Sequence, residues 1–175
     1  MAEASWTRLR EQLTRLEPSQ LLDLLRDLFQ RSAENRRFLT AKLAGEDAVG
    51  ALEDYRERIQ AAFAGGDPPQ PPRLGEGRKA IRDYRKATSD LEGTADLMLA
   101  YVEAGTDYSR QHGDMSEAYY HSLGIVLRDL AAALHDTPAL LTPLRPRLGA
   151  LRLSSRRVGW TWGAYVAEIV DRLES

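Results

Sequence analysis

Apolar residues recur at helical spacing along most of the chain, and this pattern predicts an all-helical protein. In the first third the apolar stripes fall on four successive segments, at residues 4–16, 18–29, 33–43 and 47–63. The clearest stripe consists of Leu21, Leu22, Leu25, Leu28 and Phe29. We expect this stripe to be buried, because the connections are short enough for neighbouring helices to pack directly. The four helices would form an N-terminal subdomain over residues 1–66.

A segment rich in proline and glycine follows, and it predicts a linker over residues 67–77. Four of its residues are prolines, and these favour extended polyproline conformation. We therefore expect the next helix to begin at Arg78, with Ala80, Ile81, Tyr84 and Ala87 on its buried side. Residues 78–175 would form a C-terminal subdomain, and the two subdomains together a single structural unit.

Two long amphipathic runs between Asp96 and Leu134 meet at a tight corner, Gln111-His112-Gly113-Asp114. The first run follows Ser89-Asp90-Leu91-Glu92, which has the S-x-x-E form that starts a helix. Further along, Pro143 and Pro146 are expected to interrupt the helical pattern, and the last helix to begin near Ser154 or Ser155. No segment alternates with period two. The fold prediction is thus an all-α, irregular bundle of seven to nine helices, with stacked helical hairpins as an alternative.

The composition is typical of a globular protein and excludes any chemistry that needs cysteine. The 175 residues include 43% hydrophobic and 29% charged side chains, which is typical of a globular domain. There is no cysteine, which excludes disulfides, thiol nucleophiles and thiolate metal sites. No apolar run is long enough to cross a membrane, and no secretory leader is recognisable, so we expect a cytoplasmic protein without a membrane partner.

Charge is unevenly distributed. Residues 89–136 carry nine acidic and two basic side chains, and the segments on either side, 68–88 and 137–175, are net basic. We expect these segments to dock against each other, because the net charge of -2 gives no overall attraction to nucleic acid or anionic lipid.

The polar residues around the corner are the candidate site. The predicted pocket consists of Tyr101, Glu103, Tyr108, His112, Asp114, Glu117, Tyr120, His121 and Trp160. Glu117 and His121 are four residues apart on one helix face and are the candidate metal ligands, and Glu103 with either histidine could perform acid–base chemistry. The competing interpretation, which we favour, is that Asp114 and Glu117 form a capping box and that the corner is architectural.

A second candidate is an arginine-rich segment. Its residues could contact an anion or nucleic acid, and the strongest of them are Arg152, Arg156 and Arg157. Arginines beside aromatic residues can hold phosphate and stack a base. We expect nucleic-acid binding to be the less favoured interpretation, because the acidic central segment offers these arginines an internal partner.

Several segments resemble a known family. They are L-L-D-L-L-R-D-L-F (21–29), R-K-A-I-R-D-Y-R-K (78–86), D-L-M-L-A-Y-V-E-A-G (96–105), H-G-D-M-S-E-A-Y-Y-H-S-L (112–123) and V-G-W (158–160). In these segments the chain resembles a family of bacterial all-helical proteins catalogued only as a domain of unknown function. The resemblance implies a helical bacterial protein, and it transfers no activity, cofactor or catalytic residue.

The functional hypothesis from the sequence is a non-catalytic interaction module that binds another protein or itself. It depends on the absence of complete catalytic or phosphate-binding motifs and on the number of amphipathic helices. We expect no cofactor. The alternatives that remain open are a metal-binding or hydrolase-like protein that uses residues 103–121 and a nucleic-acid-binding protein that uses the arginines of residues 145–157.

Overall fold

The protein is all-helical, as the hydrophobic periodicity predicts. The computed structural model describes residues 5–43, 48–65, 70–159 and 161–174. Within these ranges the chain forms nine α-helices, one 3₁₀ turn and no strand. The α-helices are α1 (Trp6–Leu13), α2 (Pro18–Arg31), α3 (Ala33–Leu43), α4 (Ala48–Phe63), α5 (Leu74–Thr88), α6 (Leu91–His112), α7 (Glu117–Asp136), α8 (Leu141–Ser155) and α9 (Trp162–Glu174).

The 22-residue helix α6 is the centre of the core, and α4, α5, α7 and α8 pack against it. Its residues Leu97, Leu99 and Tyr101 have no measurable exposure. At Gly105 the helix approaches α7 so closely that a Cβ would come within 2.4 Å of a methyl group of Leu123. The two amphipathic runs predicted between Asp96 and Leu134 therefore form a hairpin of α6 and α7 at the centre of the core.

Helix α4 belongs to the same core, although it precedes the proline-rich segment. Its side chains Tyr55, Ile59 and Phe63 are buried in one cluster with those of α5–α9. The ring of Tyr55 meets that of Tyr84 edge to face, with centroids 5.4 Å apart. The packing is thus continuous from α4 to α9.

Helix α5 begins at Leu74, so the prediction of a linker up to residue 77 is wrong over its last four residues. The segment before it is tied to the end of α4, where Arg73 donates from its backbone N–H to the carbonyl of Ala62 and from its guanidinium to that of Ala61, both at 2.8 Å. A side chain at Gly77 would meet the ring of Tyr101, so a small residue is needed there. Residues 67–69 of the predicted linker lie outside the described ranges.

Three helix boundaries also differ from the prediction. Asp90, rather than Ser89, caps α6 by accepting from the backbone N–H of Gly93 at 3.1 Å, because Ser89 has a left-handed conformation that ends α5. Helix α8 continues through Pro143 and Pro146. Pro143 lies in the first turn, where a proline lacks only an N–H that has no partner in the helix, whereas Pro146 lies inside the helix and cannot donate to the carbonyl of Thr142. The last helix begins at Trp162, after a turn in which Gly159 has a φ of 44°.

The first two helices depart most from the prediction. No residue of α1 or α2 is buried, although Leu21, Leu22, Leu25, Leu28 and Phe29 form the stripe for which burial was expected. Helix α3 contacts α2, α4 and α5, and it covers only part of that stripe. The amphipathic pattern is present, but the described chain does not supply the surface that would bury it.

Candidate functional site

The corner between α6 and α7 is built by local hydrogen bonds. Gly113 has a φ of 91° and its N–H donates to the carbonyl of Ser109, which ends α6. Ser116 caps α7 by accepting from the backbone N–H of Tyr119 at 3.4 Å. The predicted capping box of Asp114 and Glu117 is therefore wrong, because Ser116 immediately precedes the first helical residue and takes the capping position.

Tyr120 connects the two sides of the corner. Its hydroxyl donates to a carboxylate oxygen of Asp114 at 2.7 Å and lies 2.6 Å from the Ser109 hydroxyl. The backbone N–H of Met115 donates to the same hydroxyl at 3.3 Å. Burial raises the pKa of Tyr120, so at neutral pH it remains a phenol that can donate to Asp114. These contacts make Asp114 and Tyr120 parts of the corner itself.

The remaining candidate residues do not share one cavity. Tyr101 is fully buried and its hydroxyl lies 2.9 Å from that of Ser122. Tyr108 stacks on His112 with ring centroids 4.1 Å apart, and its hydroxyl donates to the carbonyl of Gln70. Trp160 lies outside the described residues.

Glu103 belongs to an ion-pair network that joins α4, α6 and α8. Its carboxylate accepts from Arg147 at 2.6 Å, and Arg147 also donates to Asp96, which in turn accepts from Arg56. Burial would lower the pKa of Arg147, but its hydrogen bonds to Glu103 and Asp96 and their negative charges outweigh that effect and raise it. The hydrogen bond that Arg56 donates to Asp96 is the main cause of the raised pKa of Arg56. This network stabilises helix packing, and it connects the acidic central helix with the basic C-terminal segment.

Glu117 and Tyr120 line a cleft of about 390 Å³ together with Asp114. With His121 they also line a groove between α7 and the start of α9. It has a volume of about 400 Å³ and is lined by Glu117, Tyr120, His121, Gly124, Ile125, Arg128, Thr161, Trp162 and Tyr165. Sequence reasoning missed Arg128 and Tyr165. Arg128 could have been found from its spacing, because it lies seven residues after His121 and so on the same helix face.

The chemistry of the groove is incomplete for a metal site or an acid–base site. Among the described residues no three histidine, aspartate or glutamate side chains come close enough to hold a metal ion. His121 and Glu117 are exposed, and neither is oriented by a hydrogen bond within the described chain. Acid–base catalysis would need such an oriented pair next to the reacting group.

The candidate arginines do not form one surface. Arg152 forms an ion pair with Asp171 at 2.8 Å. Arg156 and Arg157 are exposed and, with Arg110 and Asp114, line a separate cleft of about 410 Å³. A carboxylate in this cleft reduces its attraction for phosphate.

The largest unexplained feature is on α1–α3. Twelve large hydrophobic side chains are exposed among the described residues, and ten of them lie between residues 6 and 43. We call these ten the N-terminal apolar surface: Trp6, Leu9, Leu16, Leu22, Leu24, Leu25, Leu28, Phe29, Phe38 and Leu43. The other two, Leu91 and Leu153, are isolated by comparison.

Part of the N-terminal apolar surface is concave. An open groove of about 510 Å³ runs between α2 and α3, lined by Leu22, Leu25, Arg26, Phe29, Leu39, Thr40 and Leu43. Five of these seven side chains are large and apolar. Concave apolar grooves of this kind accept apolar side chains from a partner.

In the described part of the chain, no helix is sufficiently long and apolar to cross a membrane. Comparison with protein-family models, with curated proteins and with solved structures finds no match. The family resemblance drawn from the sequence therefore stays a prediction.

Proposed function

We propose that this protein is a non-catalytic, helical interaction module that binds a protein through the N-terminal apolar surface. The observation that carries the proposal is the concentration of ten exposed large hydrophobic side chains between residues 6 and 43, nine of them on α1–α3 and Leu16 in the turn between α1 and α2. Soluble proteins rarely leave so large an apolar area uncovered, and such areas mark interaction sites.

The structure of α1 supports the same conclusion. This helix has eight residues and no buried side chain. Isolated helices of this length are marginal in water, and most helices are stabilised by packing of their apolar side. A bound protein would supply that packing for α1 and for the uncovered stripe of α2.

Most of the candidate polar groups of residues 101–121 are already engaged within the chain, which also favours a non-catalytic function. Asp114 accepts from Tyr120, Glu103 pairs with Arg147, and Tyr101 lies in the core with Ser122. A catalytic site needs such groups to be free to contact a substrate. The proposal retains the cytoplasmic location expected from the sequence.

Site-specific photo-crosslinking in the cells that make the protein tests this proposal. A photo-reactive amino acid would replace Leu22, which is 64% exposed on α2, and in a control variant Leu153, which is 62% exposed on α8. The proposal predicts a discrete protein adduct, identified by mass spectrometry, from position 22 and none from position 153. Adducts at neither position, or the same set at both, would contradict it.

A further inference from the structure

The proposed docking surface has the properties of a self-complementary one, and we infer that its partner is a second copy of this chain. This inference depends on the proposed function, because it assigns a partner to the same surface. Two copies would pack their α1–α3 regions together about a two-fold axis, so that each contributes the same residues.

The exposed area is sufficient for a stable dimer. The ten side chains are between 36% and 78% exposed. At roughly 80–100 Å² for each half-exposed large apolar side chain, the surface amounts to on the order of 800 Å², the contribution of one partner to an interface of standard size. A crystal-contact-sized patch would be much smaller and less apolar.

The charges around this surface suit a copy of itself. Between residues 6 and 31 the chain carries five arginines and four acidic residues, so both signs border the apolar stripe of α2. A surface that meets its own copy needs both signs, since a border of one sign would repel itself. These mixed charges also differ from those of helices that bind anionic membranes, where basic residues predominate on the polar side.

The shape of the surface combines a groove with protruding side chains. The groove between α2 and α3 is lined by leucines and Phe29, and on α1 the side chain of Trp6 is 66% exposed. Tryptophan is among the residues that contribute most to binding when a pocket covers them. A two-fold arrangement lets the apolar side chains of α1 in each copy pack on the α2–α3 groove of the other.

The test is the mass of the full chain in solution, measured by sedimentation velocity over a wide range of concentration. The wild type is expected to be a dimer that dissociates on dilution. Leu22→Glu should raise the dissociation constant on the order of a hundredfold, because a carboxylate would lose its water in the apolar contact. Leu153→Glu is the matched control, since that leucine is equally exposed but lies on α8, and it should leave the dimer unchanged. Circular dichroism would verify that both variants keep the helical content of the wild type.

The outcomes separate this inference from the proposed function. If the wild type stays monomeric at every concentration, the partner is not a second copy of the chain and the inference is wrong. If position 22 of that monomer still crosslinks to one other protein in cells, the interaction module stands and only its partner is different. A wild-type dimer that Leu22→Glu leaves intact overturns the inference as well, because the contact would then lie elsewhere on the chain.

Discussion

Five tyrosines are buried in this core, and the hydroxyls of four of them, Tyr84, Tyr101, Tyr108 and Tyr119, form hydrogen bonds. Tyr119 is 5% exposed and donates to the carbonyl of Gly105 at 2.6 Å. Tyr84 donates to Asp90 at the same distance, and this bond fixes the carboxylate that caps α6. Burial is the largest cause of the raised pKa of both tyrosines, because the phenolate would lose its hydration in the core.

The raised pKa of Tyr119 predicts a loss of stability in alkali. Below the ordinary tyrosine pKa of 10.0 the folded and unfolded chains both keep the proton, so the full contribution of Tyr119 to the free energy of unfolding is present. Above that pH the unfolded chain releases the proton while the folded chain retains it, and the free energy of unfolding falls by up to about 1.4 kcal/mol per pH unit for each such group.

The substitution Tyr119→Phe tests whether the raised pKa of Tyr119 causes this loss of stability in alkali. It should lower the free energy of unfolding at neutral pH by about 1 kcal/mol through loss of the hydrogen bond to Gly105. It should also make the decline above the ordinary tyrosine pKa less steep, because one titrating group has been removed. Urea unfolding at a series of pH values measures both effects, and an unchanged slope would show that Tyr119 does not titrate as described.

Sequence reasoning at the residue scale identified the corner but not its contacts. The tight corner around Gly113 was correctly predicted, because a positive φ favours glycine whatever surrounds it. The acceptor role of Asp114 could not be predicted, since it depends on where α7 places the ring of Tyr120. Roles set by backbone conformation can be predicted from the sequence, whereas contacts across a turn depend on the fold.

At the scale of elements, the crossing of α8 and α9 is a close backbone contact. A Cβ on Gly163 would lie 2.7 Å from the carbonyl oxygen of Ser155 and 3.1 Å from the Cα of Arg156. Backbone atoms cannot move aside as the end of a flexible side chain can. The short turn between these helices, which includes Gly159, therefore depends on a glycine at the start of α9.

Gly163→Ala is expected to lower the free energy of unfolding by about 1–3 kcal/mol, the range for overpacking a close contact. Gly149→Ala is the matched control, since that glycine lies inside α8 with nothing within 4 Å of the added Cβ. It should stabilise the protein by about 0.5–1 kcal/mol, because alanine is the better helix former. Thermal unfolding should show a lower melting temperature for Gly163→Ala and a higher one for Gly149→Ala than for the wild type. A shift in the same direction in both variants would contradict the close crossing.

Helical periodicity predicted the buried sides of the central elements well. The residues expected inside α5, namely Ala80, Ile81, Tyr84 and Ala87, are all buried. In α1 and α2 the same reasoning failed, because periodicity shows which side of a helix is apolar and not whether another element covers it. The extra helix turn at Leu74 was missed for a related reason, since the contact between Gly77 and Tyr101 that favours it is made by α6.

At the scale of the molecule, the chain has two unequal parts. Helices α4–α9 enclose one core in which side chains such as Ile59, Leu127 and Val166 have no exposure. Helices α1 and α2 have no buried residue, whereas α3 packs on α4 and α5, contributes Ala41 to the core and places Glu34 where it accepts from Lys79 at 2.8 Å. We therefore predict that α1–α3 reach their full stability only when the N-terminal apolar surface is covered.

Hydrogen exchange of the backbone amides, measured at low and high protein concentration, tests this claim most directly. The account predicts that amides of α1 and α2 become more protected as concentration rises, while those of α6 do not change. Leu22→Glu should abolish the concentration dependence. If the amides of α1 and α2 exchange slowly and at the same rate at every concentration, in the wild type and in the variant, these helices are stable without a partner and the prediction is wrong.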